Sequence, residues 1–428
     1  MIKPHYRLTS QGSVIPIGDG MKNALTGLGG ATDKGASNRH HLQIPSDYEL
    51  TVIYETSWIG RQIVDIPVED ATKKWRTWGG DQGEEIAELE REFGIQEKVD
   101  AGAKSGRLFG GAALIVGAGD PDASQPLNYD DVTEIRYVNV VDRFDLSPGP
   151  VSNDVTSQRF GKPIYYTAQV GGSMQQIHPS RLCLFGGSRP SSRSFGAFLS
   201  GWDNSILVSK IDAIRDMDAV MAHIRSLVAE AKVEYLKIKH LTQRVQDPRE
   251  EAALKAQLSI LESTAGNRRR AALDTEEDVV SSTYSFAGMG DMVDRFMHMA
   301  AGAGDIPITR LFGASPGGLN SAGESDLANY YDSVAALQQN NLGPALRPLD
   351  MCLKASVGAL DDDTVKPEWR PVREMSEKDV AEVQERTVRA LVALEGAQMF
   401  GEDQLEPVFE GALRRVGLEG LEIANDQA

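Results

Sequence analysis

Two short patterns in this chain have the residue types for chemistry. His178-Pro-Ser180 and His240-Leu-Thr242 are both His-x-Ser/Thr tripeptides. A two-histidine phosphoesterase uses such a pair, with the imidazoles sharing acid and base roles. The chain has seven histidines in 428 residues, so chance readily supplies two such tripeptides. His178 falls in a turn before Pro179, and His240 ends a separate alternating stretch, so nothing in the sequence places them in one pocket. Other signatures are missing. No glycine-rich loop ends in Gly-Lys-Ser/Thr, and there is no His-Glu-x-x-His motif or nucleophile elbow. Gly106-Arg-Leu-Phe-Gly-Gly111 reads as a tight turn. Arg268, Arg269 and Arg270 form the one basic cluster, suited to an acidic partner or simply to a solvated turn. Cys183 and Cys352 are too few for a disulfide framework or a thiolate metal site, so no metal or other cofactor is expected.

Bulk properties narrow the classes. A length of 428 residues allows two to four domains, and 41% hydrophobic with 25% charged residues is ordinary globular composition. No apolar run approaches the length of a membrane span, and no basic and apolar leader opens the chain. Without a disulfide framework, a reducing, cytoplasmic setting is the default. The formal charge of −18 argues against gripping nucleic acid through its phosphates. The charge is lopsided: Asp361 to Ala428 holds 17 acidic and 8 basic residues, half of the net charge.

The stretch Asp305 to Asn320 organises the elements. A Met- and Ala-rich helix from Met289 to Ala303 meets Pro307, which cannot continue it. An apolar plug follows (Ile306, Ile308, Leu311, Phe312), then a small-residue loop, Gly313-Ala-Ser-Pro-Gly-Gly318. Ser321 and Glu324 have capping-box spacing for the next helix.

Upstream, residues 1–45 lack hydrophobic periodicity and read as a flexible arm. Two amphipathic segments then run to Trp75, with helices over Glu84–Phe93 and Ile95–Leu108. Strands are expected near Gly110–Val116, Ile135–Val141, Ile164–Val170, Met174–His178 and Leu182–Phe185, with Ser147-Pro-Gly-Pro150 as a turn. This makes a mixed α/β domain over 46–200.

From Asp203, apolar residues fall three or four apart for 25 residues, predicting one helix about 40 Å long. Val233–His240 alternates like a strand. A polar helix from Asp247 to Ser263 and a strand over Val279–Phe286 complete a small insert between two helices. The helix from Gly323 should kink or break at Gly343-Pro344. Helices over Ser376–Leu394 and Asp403–Val416 close the chain.

The segment from Ile306 to Asp326, continuing to Asn329-Tyr-Tyr-Asp332, resembles the signature of tailed-bacteriophage portal proteins. It is similar to the DUF1073 group, whose domain name is shared with anti-CBASS phosphodiesterases. Ile177-His-Pro-Ser-Arg-Leu182 and Ile63-Val-Asp-Ile-Pro-Val-Glu-Asp-Ala-Thr-Lys-Lys-Trp75 resemble the same group, and the likeness covers about residues 45–400. It implies a helix-rich α+β portal fold. Residues 46–200 would be the wing, 201–231 and 287–304 the stem helices, and 232–286 the clip. Residues 305–322 would be the tunnel loop, 323–358 a long kinked helix, and 359–428 an acidic helical crown. It also implies a homo-oligomeric ring, usually of twelve subunits, at one capsid vertex of the virion, assembled in the host cytoplasm. The partners implied are terminase, head-completion proteins, major capsid protein and double-stranded DNA in transit, with no membrane. On that template Gly313, Ser315, Pro316, Gly317, Gly318, Leu319 and Asn320 shape the channel, Arg268 to Arg270 dock partners, and no residue is catalytic. A two-histidine phosphodiesterase acting on cyclic oligonucleotides is the alternative.

Overall fold

The computed structural model describes residues 6–8, 14–16, 45–119, 121–157, 159–170, 172–190, 201–229, 232–237, 248–249, 251–256, 259, 278–283, 288–313, 322–373 and 377–396. In chain order its elements begin with β1 (Tyr6–Leu8), β2 (Val14–Pro16), α1 (Asp47–Thr56), α2 (Trp58–Lys73) and β3 (Thr77–Trp78). Next come α3 (Gly83–Glu92), α4 (Ile95–Phe109), β4 (Gly111–Ala118), β5 (Ile135–Asp142) and β6 (Leu146–Pro148). Then β7 (Tyr166–Val170), β8 (Ser173–Ile177), β9 (Leu182–Gly186), α5 (Ile211–Ala229), β10 (Lys232–Lys237) and β11 (Asp278–Thr283). Last are α6 (Met289–Gly304), α7 (Ile308–Phe312), α8 (Ala322–Leu337), α9 (Gly343–Ser356), β12 (Pro367–Glu368) and α10 (Glu377–Gly396). The fold is helix-rich α+β, and the chain divides into two compact units.

The first unit joins residues Met1–Val64 to Asn204–Pro316. Ser46 starts α1 with a complete capping box to Glu49, as its sequence spacing favours. The core of this unit buries Leu50, Ile59, Ile63, Leu207, Ile211, Ile214, Met217, Ala300, Ala301, Ile306 and Leu311. These residues come from α1, α2, the turn before α5 and its start, the end of α6 and the plug. β10 pairs antiparallel with β11 through Lys232↔Thr283 to Lys237↔Asp278. Residues 251–256 between them are helical.

Two expectations for this unit change. The helix expected to open at Asp203 begins instead at Ile211, after a 3-10 turn over Ile206–Ser209. Ser205 caps that turn by accepting the Leu207 N–H, and the Lys210 N–H closes it on Leu207 O at 2.9 Å. With 19 residues, α5 is about 28 Å long, not 40 Å. Within the arm read as flexible, β1 pairs antiparallel with β2, Tyr6 opposite Pro16.

The second unit joins Asp65–Asp203 to Gly317–Ala428. Its centre is the antiparallel sheet β5–β4–β9. Strand β4 is the apolar run expected from the sequence, and all but one of its residues are buried. One face of this sheet carries Leu114, Cys183 and Phe185 and is covered by α4 and α9. Helix α4 approaches closely because Gly102 and Gly106 have no side chain; a Cβ at either would sit 2.9 Å from Phe185. Ala113 and Leu182 pack on the other side with Leu146, Tyr166, Ala168 and Ile177, which belong to the second sheet β6–β7–β8. Ser147 and Pro148, expected in a turn, are part of β6. That strand is an edge, where proline's missing N–H is tolerated.

The polar centre of this unit is buried too. Arg76 donates to Glu90 Oε1 through Nε (2.9 Å) and Nη2 (2.7 Å), and through Nη2 to Asp350 Oδ1 (2.5 Å). Trp75 Nε1 donates to Glu90 Oε2 at 2.7 Å, and the Arg76 side chain is 1% exposed. Burial opposes the charge on Arg76, but Asp350 and Glu90 outweigh it and hold the guanidinium above its ordinary value.

At Gly343-Pro344, where a kink or break is expected, the helix is irregular but unbroken. The helix continues from α8 into α9 through a π-turn over Gln338–Leu342. Proline lacks the N–H that would bond four residues back, and its ring would press on that carbonyl. The wider turn carries the chain past both problems.

Candidate functional site

The described residues that lead into the glycine loop belong to the first unit. α6 ends at Gly304 because Asp305 takes a left-handed conformation (φ 57°, ψ 31°). It is the one non-glycine residue with positive φ among the described residues. The Ile306 N–H then reaches back to Ala301 O at 3.2 Å, the longer bond of a Schellman ending, and Ile306 packs into the core. Lys210 closes the helix end from outside. Its Nζ donates to Ala303 O at 2.5 Å and to Asp305 Oδ2 at 2.8 Å. A cation thus sits at the negative end of the helix dipole and satisfies a terminal carbonyl. Because Lys210 precedes α5 and Asp305 follows α6, the two helices run antiparallel where they pack.

The apolar plug is a short helix, α7, that starts after Pro307. Leu311 points into the core, and Phe312 meets the Trp58 ring edge-on, centroids 5.4 Å apart. Gly304 fits against Ile63, where a Cβ would come within 3.1 Å. Gly313 ends α7 in the left-handed region (φ 67°), with its N–H on Thr309 O at 3.1 Å. It is exposed, and among the described residues nothing lies within 4 Å of where its Cβ would be. Its left-handed backbone geometry resists a side chain there. Of the loop residues singled out from sequence, Gly313 alone is described. Ser315, Pro316, Gly317, Gly318, Leu319 and Asn320 lie outside the described residues, as do Arg268, Arg269, Arg270 and His240.

In the second unit, α8 hangs on two buried side chains. Tyr330 donates its hydroxyl to Asp70 Oδ2 at 2.8 Å, and Val334 packs beside it in the same helix. Gln338, 2% exposed, donates through Nε2 to Ala71 O at 2.7 Å.

His178 is held by its own turn through Nδ1. Its Nδ1 lies 2.8 Å from Ser180 Oγ and 3.2 Å from the Ser180 N–H, while the same Oγ accepts the Leu127 N–H at 2.8 Å. Burial, with Arg159 and Arg181 nearby, pushes the His178 pKa below its ordinary value. The look-alike phosphate cradle is a helix end: Gly106 lies on Phe185, and Gly110 (φ 88°) caps α4 before β4 begins. Among the described residues no cluster of His, Cys, Asp or Glu has the arrangement to hold a metal. None of their helices is long and apolar enough to cross a membrane.

Sequence reasoning placed Tyr330 on its helix but not its bond to Asp70, and did not find Lys210, Gln338 or the Arg76 cluster. Lys210 and Asp305 are 95 residues apart, and Arg76 and Asp350 are 274 apart, so no local spacing joins them.

Residues 48–392 match the family model described as phage portal protein. The chain belongs to that family. Relatives similar to this portal-family chain include a protein named anti-CBASS protein Acb1 from Caulobacter sp. (strain RHG1). It is 31% identical, over 96% of this chain and 68% of its own length. A second protein of that name, from Sphingomonas paeninsulae, is 32% identical over 91% of this chain and 63% of its own length. The chain thus spans about two thirds of these two relatives. An uncharacterized protein of Haemophilus influenzae is 27% identical over 80% of this chain and 79% of its own length.

Two solved structures share the fold. A chain in the virion of a native gene transfer agent particle superposes with a TM-score of 0.52, at 16% identity, over 90% of this chain and 97% of that one. A chain in the neck of the native particle, computed with C12 symmetry, gives 0.51 at 15% identity, over 88% and 95%.

Proposed function

We propose that this chain is the portal subunit of a tailed phage or phage-like particle. Copies of it form a ring, near twelve in number, around a channel for double-stranded DNA at one vertex. The family match over 48–392 carries this reading. The order of elements supports it: α5, the β10–β11 insert, α6, the plug and small-residue loop, then a long helix of α8 and α9. The fold likeness to a chain from a particle neck agrees with it.

On this reading residues 46–200 form the wing, 201–231 and 287–304 the stem, and 232–286 the clip, with Arg268 to Arg270 offered to terminase and head-completion proteins. Residues 305–322 form the tunnel loop, 323–358 the long helix and 359–428 the crown. The roles of Gly313 and of Ser315 to Asn320 are mechanical: small residues let the backbone move beside DNA. A net charge of −18 suits a channel wall along which a polyanion slides without sticking.

The name of the two Acb1 relatives favours a second reading, hydrolysis of a cyclic oligonucleotide by a histidine pair. Against it, His178 Nδ1 and Ser180 Oγ are engaged with each other, and Oγ with the Leu127 N–H, inside a turn. About a third of each relative also lies beyond the match. Light scattering on purified protein, with a cyclic-oligonucleotide hydrolysis assay alongside, separates the two readings. The portal reading expects a mass near twelve subunits and no turnover. A stable monomer whose hydrolysis disappears in His178→Ala or His240→Ala would replace it.

A further inference from the structure

We propose that β5 is an open sheet edge that takes the N-terminal strand β1 of a second copy of this chain. The second copy as a neighbour rests on the portal reading; the open edge does not.

The edge is defined by the ladder to β4. The Arg143 N–H bonds to Gly111 O, just past the last paired residues, Asp142 and Ala112. Antiparallel pairing alternates, so Tyr137, Asn139 and Val141 turn their N–H and C=O groups to β4. Val138 and Val140 turn theirs outward. Asp142 fits the same alternation, because its outward carbonyl accepts the Asp145 N–H at 3.1 Å. β5 is the outer strand of its sheet, and among the described residues no hydrogen bond reaches the outward groups of Val138 and Val140.

Little on the strand guards this edge. Sheet edges are commonly blunted by proline, by charge or by a bulge. β6, an edge of the second sheet, carries Pro148. In β5 the register shift opposite Gly117 and Ala118 falls at the strand's start. It leaves Tyr137-Val-Asn-Val-Val141 regular, uncharged and free of proline. Tyr137 and Val140, on opposite faces, have exposed side chains that would flank an added strand.

The N-terminus supplies the occupant. β1 and β2, 3 residues each, pair only with each other, which is too little sheet to hold in water alone. A further strand removes that deficit. β2 ends in Pro16, which has no N–H to give, so β1 is the edge able to pair. Within a single chain β1 and β5 both keep an unpaired edge, and a ring brings each such edge a partner from the next copy.

Charge and reach agree with this. Residues 1–16 contain Lys3 and Arg7 and no acid, whereas residues 130–145 carry five acids and two arginines. A tether of about 28 residues joins β2 to Pro45 and spans roughly 90 Å at full extension, several domain diameters.

Hydrogen–deuterium exchange and cross-linking test the proposal. Removal of residues 1–16 should speed exchange of the Val138 and Val140 amides at least about tenfold relative to the full-length protein. A synthetic peptide of residues 1–16, added to the shortened protein, should restore their protection. Val140→Pro, which removes an outward donor, should abolish that rescue; Val140→Lys, a charged guard, serves if the proline variant does not fold. A bis-maleimide bridging Arg7→Cys and Asn139→Cys should give a ladder of covalent multimers on a denaturing gel. Unchanged exchange after removal of residues 1–16 overturns the proposal. So do rings that give no ladder, or a cross-link confined to single chains. A monomeric protein overturns the portal reading, and there protection of Val138 and Val140 by the peptide still decides whether the edge is open.

Discussion

Lys210 Nζ lies 2.8 Å from Asp305 Oδ2 and caps Ala303 O as well, so one side chain at the head of α5 closes the far end of α6. Asp305 sits in a backbone region that non-glycine residues rarely adopt. Lys210→Met keeps the aliphatic stem and removes the charge. It should lower stability by about 1 kcal/mol, read as a shift in the urea midpoint, and the loss should shrink in high salt. Asp305→Gly, which eases the backbone while removing the carboxylate, should be closer to neutral.

The Arg76 cluster should behave in the opposite manner to a surface ion pair. Its side chain is 1% exposed and it serves Glu90 and Asp350 together. Arg76→Ala strands two buried carboxylates and should cost about 3–5 kcal/mol, with little dependence on salt. Thermal unfolding at two ionic strengths checks both parts.

Cys183 and Cys352 are fully buried thiols. Burial pushes Cys352 from its ordinary 9.0 up to about 12, and raises Cys183 further. In the native protein they should resist a thiol reagent at pH 8 and react once urea unfolds the chain. The sign of the pH effect follows. Between about 9 and 12 the unfolded chain loses thiol protons that the folded chain keeps, so stability falls as pH rises through that window. A urea midpoint that increased from pH 8.5 to 10 would contradict this.

The loop glycines should separate assembly from function. Gly313→Val introduces a β-branched side chain at φ 67°, a strain of about 1–2 kcal/mol, while meeting no neighbour among the described residues. Together, Gly317→Val and Gly318→Val should leave rings intact while DNA packaging fails. DNA content per particle is the measurement, and unchanged packaging would remove the loop from the mechanism.

Much of the fold was legible because its segments are locally periodic. α1, α2, α4, α6 and β4 fall within a residue or two of where apolar spacing and caps put them. The errors arose where a distant residue decides. A separate 3-10 turn capped by Ser205 precedes α5, and Lys210, which follows that turn, bonds to a carbonyl 93 residues away. Gly343-Pro344 announces an irregular helix, yet whether it breaks or widens into a π-turn depends on what packs around it. Gln338, with its amide on Ala71 O, belongs to that packing. The loop was legible only as composition, because small residues specify freedom, not position.

The most direct measurement is a set of negative-stain images of the purified full-length protein viewed down its symmetry axis. A closed ring near twelve subunits with an open central channel is expected. A monomer, or an oligomer without an axial hole as a plain scaffold would form, would contradict the portal reading.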